Sequence, residues 1–231
     1  MKIAGLQKVS LIDYPDAVAA GVFLGGCNLD CGYCHNRWMI DARDVEPVIS
    51  VDDLVGWLET RVGLLDGVVI SGGEPTLHAG LRDLIQPIRT LGFSIKLDSN
   101  GTRPAVLRSL LGAGLVDYVA MDLKAPLESA AYRAMAGVEV DISAIRASMA
   151  ILRDLAPRYE FRTTVAPGLG FTDLLAIAKE LLPDELWVLQ PFVAAETVRP
   201  DVADQPACSE GELDAALVDL RAVASGVSLR A

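Results

Sequence analysis

The 231-residue chain lacks a surplus of positive charge, a long hydrophobic run and any low-complexity tract. Its 20 Lys and Arg are outnumbered by 31 Asp and Glu, and the formal net charge of −11 argues against binding to nucleic acid or an anionic membrane. No apolar run reaches the roughly 18 residues that a transmembrane helix needs, and the N-terminus is too polar for a secretory leader. These absences predict a cytoplasmic protein.

Strand-like and helix-like patterns alternate along the chain. The strand candidates are 19–25, 67–71, 93–98, 116–123, 159–165 and 185–192. The helix candidates lie near 51–64, 76–91, 103–113, 141–155, 172–182 and 209–225. This repetition predicts parallel strands with right-handed crossovers. Six units predict a partial (β/α)6 TIM-like barrel, with an open doubly wound sheet as the alternative.

Such a barrel accounts for the whole chain as one domain of 1–231. Within it, 1–20 is expected to be an N-terminal extension, and about 193–231 a C-terminal helical segment. In either architecture the site lies at the C-terminal ends of the strands. Polar or conformationally special residues follow the predicted strands there: Ser71 to Pro75, Asp98 to Gly101, Asp122 to Lys124, Arg162 to Gly168, and Gln190 to Phe192.

Cysteine is scarce, yet Cys27, Cys31 and Cys34 fall within eight consecutive positions. In a reducing compartment clustered thiols bind metal rather than form disulfides. A closed zinc site takes four ligands, and His35 is a poor fourth because adjacent residues do not readily converge on one ion. A cubane iron–sulfur cluster fits three thiolates better and leaves one iron open for a ligand. Cys208 stands apart, and we interpret it as a spare thiol.

The C-x3-C-x2-C spacing after the first predicted strand resembles the signature of the radical S-adenosylmethionine enzymes. The fuller strings GLQKVSLIDYP and GCNLDCGYCHN resemble the activating proteins of anaerobic ribonucleoside-triphosphate reductases, a branch of the glycyl-radical-enzyme activases. The resemblance runs from Gly5 to about Phe192. It implies one radical S-adenosylmethionine core, in which Cys27, Cys31 and Cys34 hold a 4Fe-4S cluster with one open iron that binds S-adenosylmethionine.

The activity implied by this resemblance is reductive cleavage of S-adenosylmethionine to a 5′-deoxyadenosyl radical. That radical would abstract a hydrogen atom from a glycine of a partner, anaerobic ribonucleotide reductase, with flavodoxin or ferredoxin as the electron donor. One alternative is a radical S-adenosylmethionine enzyme acting on a small molecule or on another glycyl-radical enzyme. An alternative of another class is a non-catalytic zinc or iron–sulfur protein.

The resemblance also assigns cofactor-binding residues. Tyr33 would lie near the adenine. Gly72 and Gly73 would bring their backbone close to the methionine ammonium, and the carboxylate of Glu74 would offset its charge. The other interpretation of this GGEP segment is a plain turn into the next helix.

Asp98, Asp122 and Lys124 are the catalytic candidates that the resemblance implies. The two aspartates would form a monovalent-cation site beside the cofactor carboxylate, with Lys124 near the same carboxylate. Each aspartate alone would also suit a helix cap. Arg162 suits two roles, as a donor to the cofactor carboxylate or as an ion-pair partner inside the barrel.

Three further cofactor-binding candidates complete the predicted site. Ser99 and Asn100 belong to a segment that resembles one in the pyruvate formate-lyase activase, and Gln190 is a candidate for the ribose region. Asn36 and the backbone of the cysteine loop are candidates for hydrogen bonds to the sulfur atoms, which would help to set the potential of a cluster.

Overall fold

A computed structural model describes residues 1–230 as an α/β fold built on one eight-stranded sheet. The strands are β1 Ile3–Ser10, β2 Ala19–Leu24, β3 Gly67–Gly72, β4 Ser94–Ser99, β5 Tyr118–Asp122, β6 Tyr159–Val165, β7 Trp187–Pro191 and β8 Val227–Leu229. They lie in the sheet in chain order. β1 pairs with β2 antiparallel, and every later neighbour is parallel. The predicted partial barrel is confirmed.

The helices fill the crossovers between parallel strands. They are α1 Val51–Glu59, α2 Leu81–Thr90, α3 Pro104–Gly112, α4 Ser129–Ala136, α5 Ile142–Leu155, α6 Phe171–Ala178, α7 Pro200–Ala203 and α8 Glu210–Leu220. Ser50 caps α1, because its hydroxyl accepts the N–H of Asp53 at 3.1 Å, as the sequence pattern indicates. None of the described helices is long and apolar enough to cross a membrane.

Four elements differ from the sequence expectation, and one of them, α4, was not predicted at all. β1 lies in the predicted N-terminal extension, where its exposed polar residues hide the strand pattern. β8 adds a three-residue strand to the predicted C-terminal helical segment. The helix predicted at 76–91 begins as a separate 3₁₀ turn, Pro75–Leu77, and α2 starts only at Leu81.

The strands present different chemistry on their two faces. Along β4 the side chains of Ile95 and Leu97 belong to the large apolar core, which also contains buried residues of the surrounding helices. The alternate residues, Lys96 and Asp98, form an ion pair with each other instead. Since successive side chains of a strand point to opposite faces, the barrel interior is charged where it approaches the ends of the strands.

Candidate active site

A cavity of about 340 Å³ opens at the C-terminal ends of the parallel strands, which is the size of a small-molecule site. Thirteen of the fourteen predicted site residues line it: Cys27, Cys31, Cys34, Tyr33, Gly72, Gly73, Asp98, Ser99, Asn100, Asp122, Lys124, Arg162 and Gln190. Only Glu74 lies outside the lining. The expectation that strand ends converge on one site is therefore met in this structure.

The cysteine loop follows β2 and is held by its own backbone. Gly26 and Cys27 donate their N–H groups to the carbonyls of Met39 and Ile40 at 2.7 and 2.9 Å, which closes the loop at its base. Arg37 donates to the carbonyl of Cys31 at 3.1 Å. The loop therefore presents its three thiols from a fixed frame.

The three thiols have environments that suit metal ligands. The N–H of Leu29 approaches Cys27 Sγ at 3.4 Å, and the N–H of Asn36 approaches Cys34 Sγ at 3.3 Å. Burial raises the pKa of Cys27 to about 11 and raises the pKa of Cys31 as well. Buried thiols become ligands when a bound cation supplies the charge that stabilises the thiolate. Cys208 lies away from this cavity.

The two glycines of the GGEP segment let β3 end directly against the cysteine loop. A Cβ on Gly73 would lie 2.0 Å from the carbonyl oxygen of Gly26, and a Cβ on Gly72 would lie 2.4 Å from the backbone of Leu24. Gly72 also has φ of +113°, a conformation that favours glycine. A side chain at Gly73 would push the cysteine loop out of place, and one at Gly72 would clash with the end of β2.

The structure places the side chain of Glu74 outside the lining of the cavity. Its side chain is fully buried behind the cavity wall. Both carboxylate oxygens are engaged there: the N–H of Asn100 donates at 2.6 Å, the hydroxyl of Ser99 at 3.0 Å, and Thr76 donates through its N–H at 3.0 Å and its hydroxyl. The carboxylate thus joins the end of β3 to the end of β4, and does not face a ligand in the cavity.

A second link joins β4 to the cysteine loop. The side-chain amide of Asn100 donates to Asn28 Oδ1 at 2.9 Å, and the amide of Asn28 donates to Thr102 Oγ1 at 2.9 Å. Asn100 Oδ1 in turn accepts from the N–H of Thr102 at 3.1 Å and from its hydroxyl at 2.7 Å. Sequence reasoning missed Asn28, although its position between two metal-ligand candidates was a usable signal.

Asp98, Arg162, Asp122 and Lys124 form a continuous row of ion pairs along the cavity. Arg162 Nη1 lies 3.2 Å from Asp98 Oδ2, and Arg162 Nε lies 2.9 Å from Asp122 Oδ1. Lys124 Nζ lies 2.8 Å from the other oxygen of Asp122. Of the two roles predicted for Arg162, the ion pair inside the barrel is the one seen, and the guanidinium still lines the cavity.

These contacts keep Asp122 ionised and Lys124 protonated. Burial alone would raise the pKa of Asp122, but Arg162 and Lys124 outweigh it and hold that pKa well below its ordinary value. Burial would lower the pKa of Lys124, yet Asp122 outweighs it and raises that pKa. The site therefore keeps two positive and two negative side chains next to each other, and the four charges balance.

A second charged layer lies below this row, and sequence reasoning missed it. Lys96 is 1% exposed, and its Nζ lies 3.6 Å from Asp98 Oδ1 and 3.8 Å from Glu160 Oε1. Tyr118 donates to Glu160 Oε2 at 3.1 Å. The signal was a lysine between the apolar residues Ile95 and Leu97 and two residues before Asp98, because residues i and i+2 share a face.

Three further residues line the cavity: Tyr33, Gln190 and Thr164. The ring of Tyr33 is buried, with its hydroxyl beside the Cys31 thiol and without a well-formed hydrogen bond to any described residue. Gln190 sits opposite Thr164 in the register of β6 and β7, and both line the cavity. Thr164 was missed, although it lies two residues beyond Arg162 on the same face.

The donor set fits an iron–sulfur cluster better than a single metal ion. Three cysteines share one cavity, but among residues 1–230 no group of three or more His, Cys, Asp or Glu is arranged around one ion. A polynuclear cluster spreads its ligands over several metal atoms. The expected monovalent cation fits poorly, because Arg162 already lies between the two aspartates that would hold it.

The fold and the site define a class: an α/β barrel enzyme with a three-cysteine metal loop at the C-terminal ends of its strands. The chain belongs to the Radical SAM superfamily, whose family model matches residues 22–181. Membership implies a 4Fe-4S cluster and S-adenosylmethionine, the groups for which the cysteine loop and the polar cavity are suited.

Two curated relatives illustrate the range of the similarity. A Methanocaldococcus jannaschii protein named "Putative glycyl-radical enzyme activating enzyme" is 31% identical over 218 residues, which cover 91% of this chain and 88% of that protein. The 7-carboxy-7-deazaguanine synthase of Neisseria meningitidis is 32% identical over 107 residues, which cover 46% of this chain and 44% of that protein. The first similarity includes the strand ends on both sides of the cavity.

Solved structures share the fold at low sequence identity. TYW1 with a lysine-pyruvate adduct bound matches with a TM-score of 0.64 and 19% identity, over 90% of this chain and 74% of that chain. Streptococcus suis SuiB bound to S-adenosylmethionine matches with a TM-score of 0.65 and 12% identity, over 91% of this chain and 51% of that chain. At such identities the match speaks for the fold alone.

Proposed function

We propose that this protein is a glycyl-radical-enzyme activating enzyme, and that its partner is anaerobic ribonucleoside-triphosphate reductase. The observation that carries the activating-enzyme class is the similarity to the M. jannaschii protein of that name, because it spans nearly all of both chains. The choice of partner rests on the resemblance of the GLQKVSLIDYP and GCNLDCGYCHN strings. When bound, a cluster reduced by an external donor would supply one electron for cleavage of S-adenosylmethionine to methionine and a 5′-deoxyadenosyl radical, which is the chemistry needed for hydrogen-atom abstraction. In this proposal the hydrogen comes from the Cα of a glycine in the partner.

The side chains of the cavity have distinct tasks in this reaction. Cys27, Cys31 and Cys34 would hold the cluster. Arg162 and Lys124 place two positive charges on the cavity wall, which suits the carboxylate of S-adenosylmethionine. The aromatic ring of Tyr33 offers a flat apolar surface for the adenine.

The open sheet supports a protein substrate. β1 and β8 are the two edges of the sheet, and no strand pairing among residues 1–230 joins them. A barrel left open at its side gives a loop of another protein a route to the strand ends. The acidic chain, with its net charge of −11, would favour a partner with a basic surface around that loop.

The test is activation of the partner under anaerobic conditions. The reconstituted protein is incubated with anaerobic ribonucleotide reductase, S-adenosylmethionine and dithionite, and a glycyl radical is sought by electron paramagnetic resonance. We expect a radical signal that is lost when the target glycine of the partner is replaced by alanine. Reduced flavodoxin or ferredoxin replaces dithionite in a parallel reaction, because we propose one of them as the physiological donor.

Parallel measurement of 5′-deoxyadenosine separates the possible failures. Cleavage of S-adenosylmethionine without a glycyl radical would reject this partner and leave the radical chemistry intact. No cleavage by a protein that holds its full complement of iron would reject the proposal as a whole. Cys31→Ala serves as the negative control for both the glycyl-radical signal and the formation of 5′-deoxyadenosine.

The second candidate is a radical S-adenosylmethionine enzyme that acts on a small molecule. The similarity to 7-carboxy-7-deazaguanine synthase over less than half of the chain favours it, and so does a cavity with polar groups on several strands. Formation of 5′-deoxyadenosine that depends on a small metabolite, without any glycyl-radical enzyme present, would favour this candidate over the first.

A further inference from the structure

The two aspartates of the cavity are already bridged by a positively charged side chain. Arg162 reaches Asp98 through Nη1 at 3.2 Å and Asp122 through Nε at 2.9 Å. The planar guanidinium donates from several nitrogen atoms in fixed directions, and this geometry suits two carboxylates better than a single point charge does. The position between the aspartates, which the sequence analysis assigned to a monovalent cation, is therefore filled by the protein itself.

The pairing of the strands positions Arg162 between the two aspartates. Arg162 on β6 is the register partner of Asp122 on the neighbouring strand β5. Asp98 lies one strand further on, at the end of β4, where the hydroxyl of Ser71 also donates to it at 3.0 Å. Arg162 is 9% exposed, and a side chain held by two adjacent strands inside a barrel has little freedom to swing away.

The charge balance leaves no need for a further cation. Asp98, Asp122 and Glu160 carry three negative charges, and Arg162, Lys124 and Lys96, which are paired with them, carry three positive ones. An added alkali ion would leave one positive charge unbalanced in a largely buried site, which is costly. An ion placed between the two aspartates would also have to displace the guanidinium from Asp98 Oδ2 and Asp122 Oδ1, and Lys96 already lies 3.6 Å from the other oxygen of Asp98.

We propose that Arg162 takes the place of an alkali cation in this protein. The guanidinium holds Asp98 and Asp122 together and supplies the fixed positive charge beside the cofactor carboxylate. Binding of S-adenosylmethionine is then independent of sodium and potassium. The inference concerns the cofactor end of the cavity and does not rest on the identity of the partner.

The first test compares salts on the wild-type holoenzyme. The affinity for S-adenosylmethionine is measured by anaerobic equilibrium dialysis in choline chloride, sodium chloride and potassium chloride at equal ionic strength. We expect the three dissociation constants to agree within about twofold. An affinity that is about tenfold or more tighter in sodium or potassium than in choline overturns the inference.

The second test removes the guanidinium. Arg162→Met keeps most of the side-chain length but leaves both aspartates without their bridge. We expect this variant to bind S-adenosylmethionine weakly in choline, and about tenfold more tightly when sodium or potassium fills the vacated position. Its midpoint of thermal unfolding should rise with the same two ions. A variant that responds to no alkali ion in either measurement overturns the inference.

Two further variants test whether the response to alkali ions depends on loss of the positive charge at position 162. Arg162→Lys keeps a positive charge at this position, and we expect it to remain indifferent to alkali ions. Arg153→Met removes a guanidinium from another ion pair, 2.7 Å from Glu185 and outside the cavity, and should gain no alkali response. If Arg162→Met does not fold, the wild-type salt series alone decides the question. Neither test contains a partner enzyme, so a failure here is distinct from a failure of the proposed function.

Discussion

The side-chain amide of Asn100 donates a hydrogen bond to Asn28 Oδ1 at 2.9 Å and so ties the end of β4 to the cysteine loop. This contact connects a strand end in the cavity wall directly to the loop that carries the three cysteines. Because Asn28 lies between Cys27 and Cys31, the position of β4 helps to set the position of the thiols. Asn28 is therefore a positioning residue, whose side chain acts through its neighbours.

Asn28→Ala should lower the free energy of unfolding by about 1 to 3 kcal/mol, because it removes two hydrogen bonds that contribute about 0.5 to 1.5 kcal/mol each. We also expect slower cleavage of S-adenosylmethionine, because the cysteine loop loses a lateral support. Urea unfolding and the rate of 5′-deoxyadenosine formation are the measurements. A double-mutant cycle with Asn100→Ala isolates the contact, and additive effects of the two changes would show that the pair does not act as a unit.

Cys31→Ala should abolish the iron–sulfur chromophore and the cleavage of S-adenosylmethionine, because two thiolates hold a cubane cluster poorly. The matched control is Cys208→Ala, since Cys208 does not line the cavity and its Sγ lies 4.0 Å from the carbonyl of Leu169. Iron content and visible absorption are compared after identical anaerobic reconstitution. Equal loss of iron in both variants would contradict the assignment of the cluster to the cysteine loop.

Gly73→Ala should displace the cysteine loop, because the added Cβ would lie 2.0 Å from the carbonyl oxygen of Gly26. Overpacking of this kind costs about 1 to 3 kcal/mol. We expect a lower midpoint of thermal unfolding and less iron bound per chain. Gly56→Ala is the control, since no atom lies within 4 Å of a Cβ at this position in α1, and alanine should be tolerated or slightly stabilising there.

The stability of the row of ion pairs should depend on pH in a defined direction. The pKa of Asp122 in the folded protein lies below its value in the unfolded chain. Its contribution is therefore fully present above the unfolded pKa of about 3.9 and is lost as the pH falls through the folded pKa. Asp122→Asn should be less stable than the wild type at pH 7.

The difference between these two proteins should narrow as the pH drops below about 4, because the Asp122 carboxylate of the unfolded wild-type chain then takes up a proton while that of the folded protein stays ionised. Urea unfolding from pH 7 to pH 3 measures both curves. A gap that stays constant or widens toward acid would mean that Asp122 does not owe its ionised state to Arg162 and Lys124.

Sequence reasoning predicted the fold because parallel strands covered on both faces leave a strong apolar signal. The six predicted strands all form. β1 escaped prediction because it lies at an edge of the sheet and exposes Gln7, Lys8 and Val9, so its pattern is that of a surface segment. α4 and β8 were missed because short elements owe their stability to packing rather than to local sequence.

The site was predictable to the extent that strand ends converge. Lys124 and Gln190 line the cavity because Lys124 follows β5 and Gln190 lies near the end of β7. Glu74 differs because its orientation depends on Ser99 and Asn100, which lie far along the chain and offer hydrogen-bond donors that no local pattern reveals. The bridge through Arg162 depends on the register of β5 and β6, which sequence alone does not fix.

The order of the strands also bears on how the protein is made. Every contact described above between the cysteine loop, β3 and β4 is complete once Thr102 has been synthesised, whereas Arg162 follows on β6. Chains emerge from the ribosome at about 5 to 20 residues per second, and N-terminal parts fold first. The cysteine loop can therefore take up its position against β3 and β4 seconds before Arg162 is available to pair with Asp98 and Asp122. Pulse-labelling of stalled nascent chains would reveal this order of events.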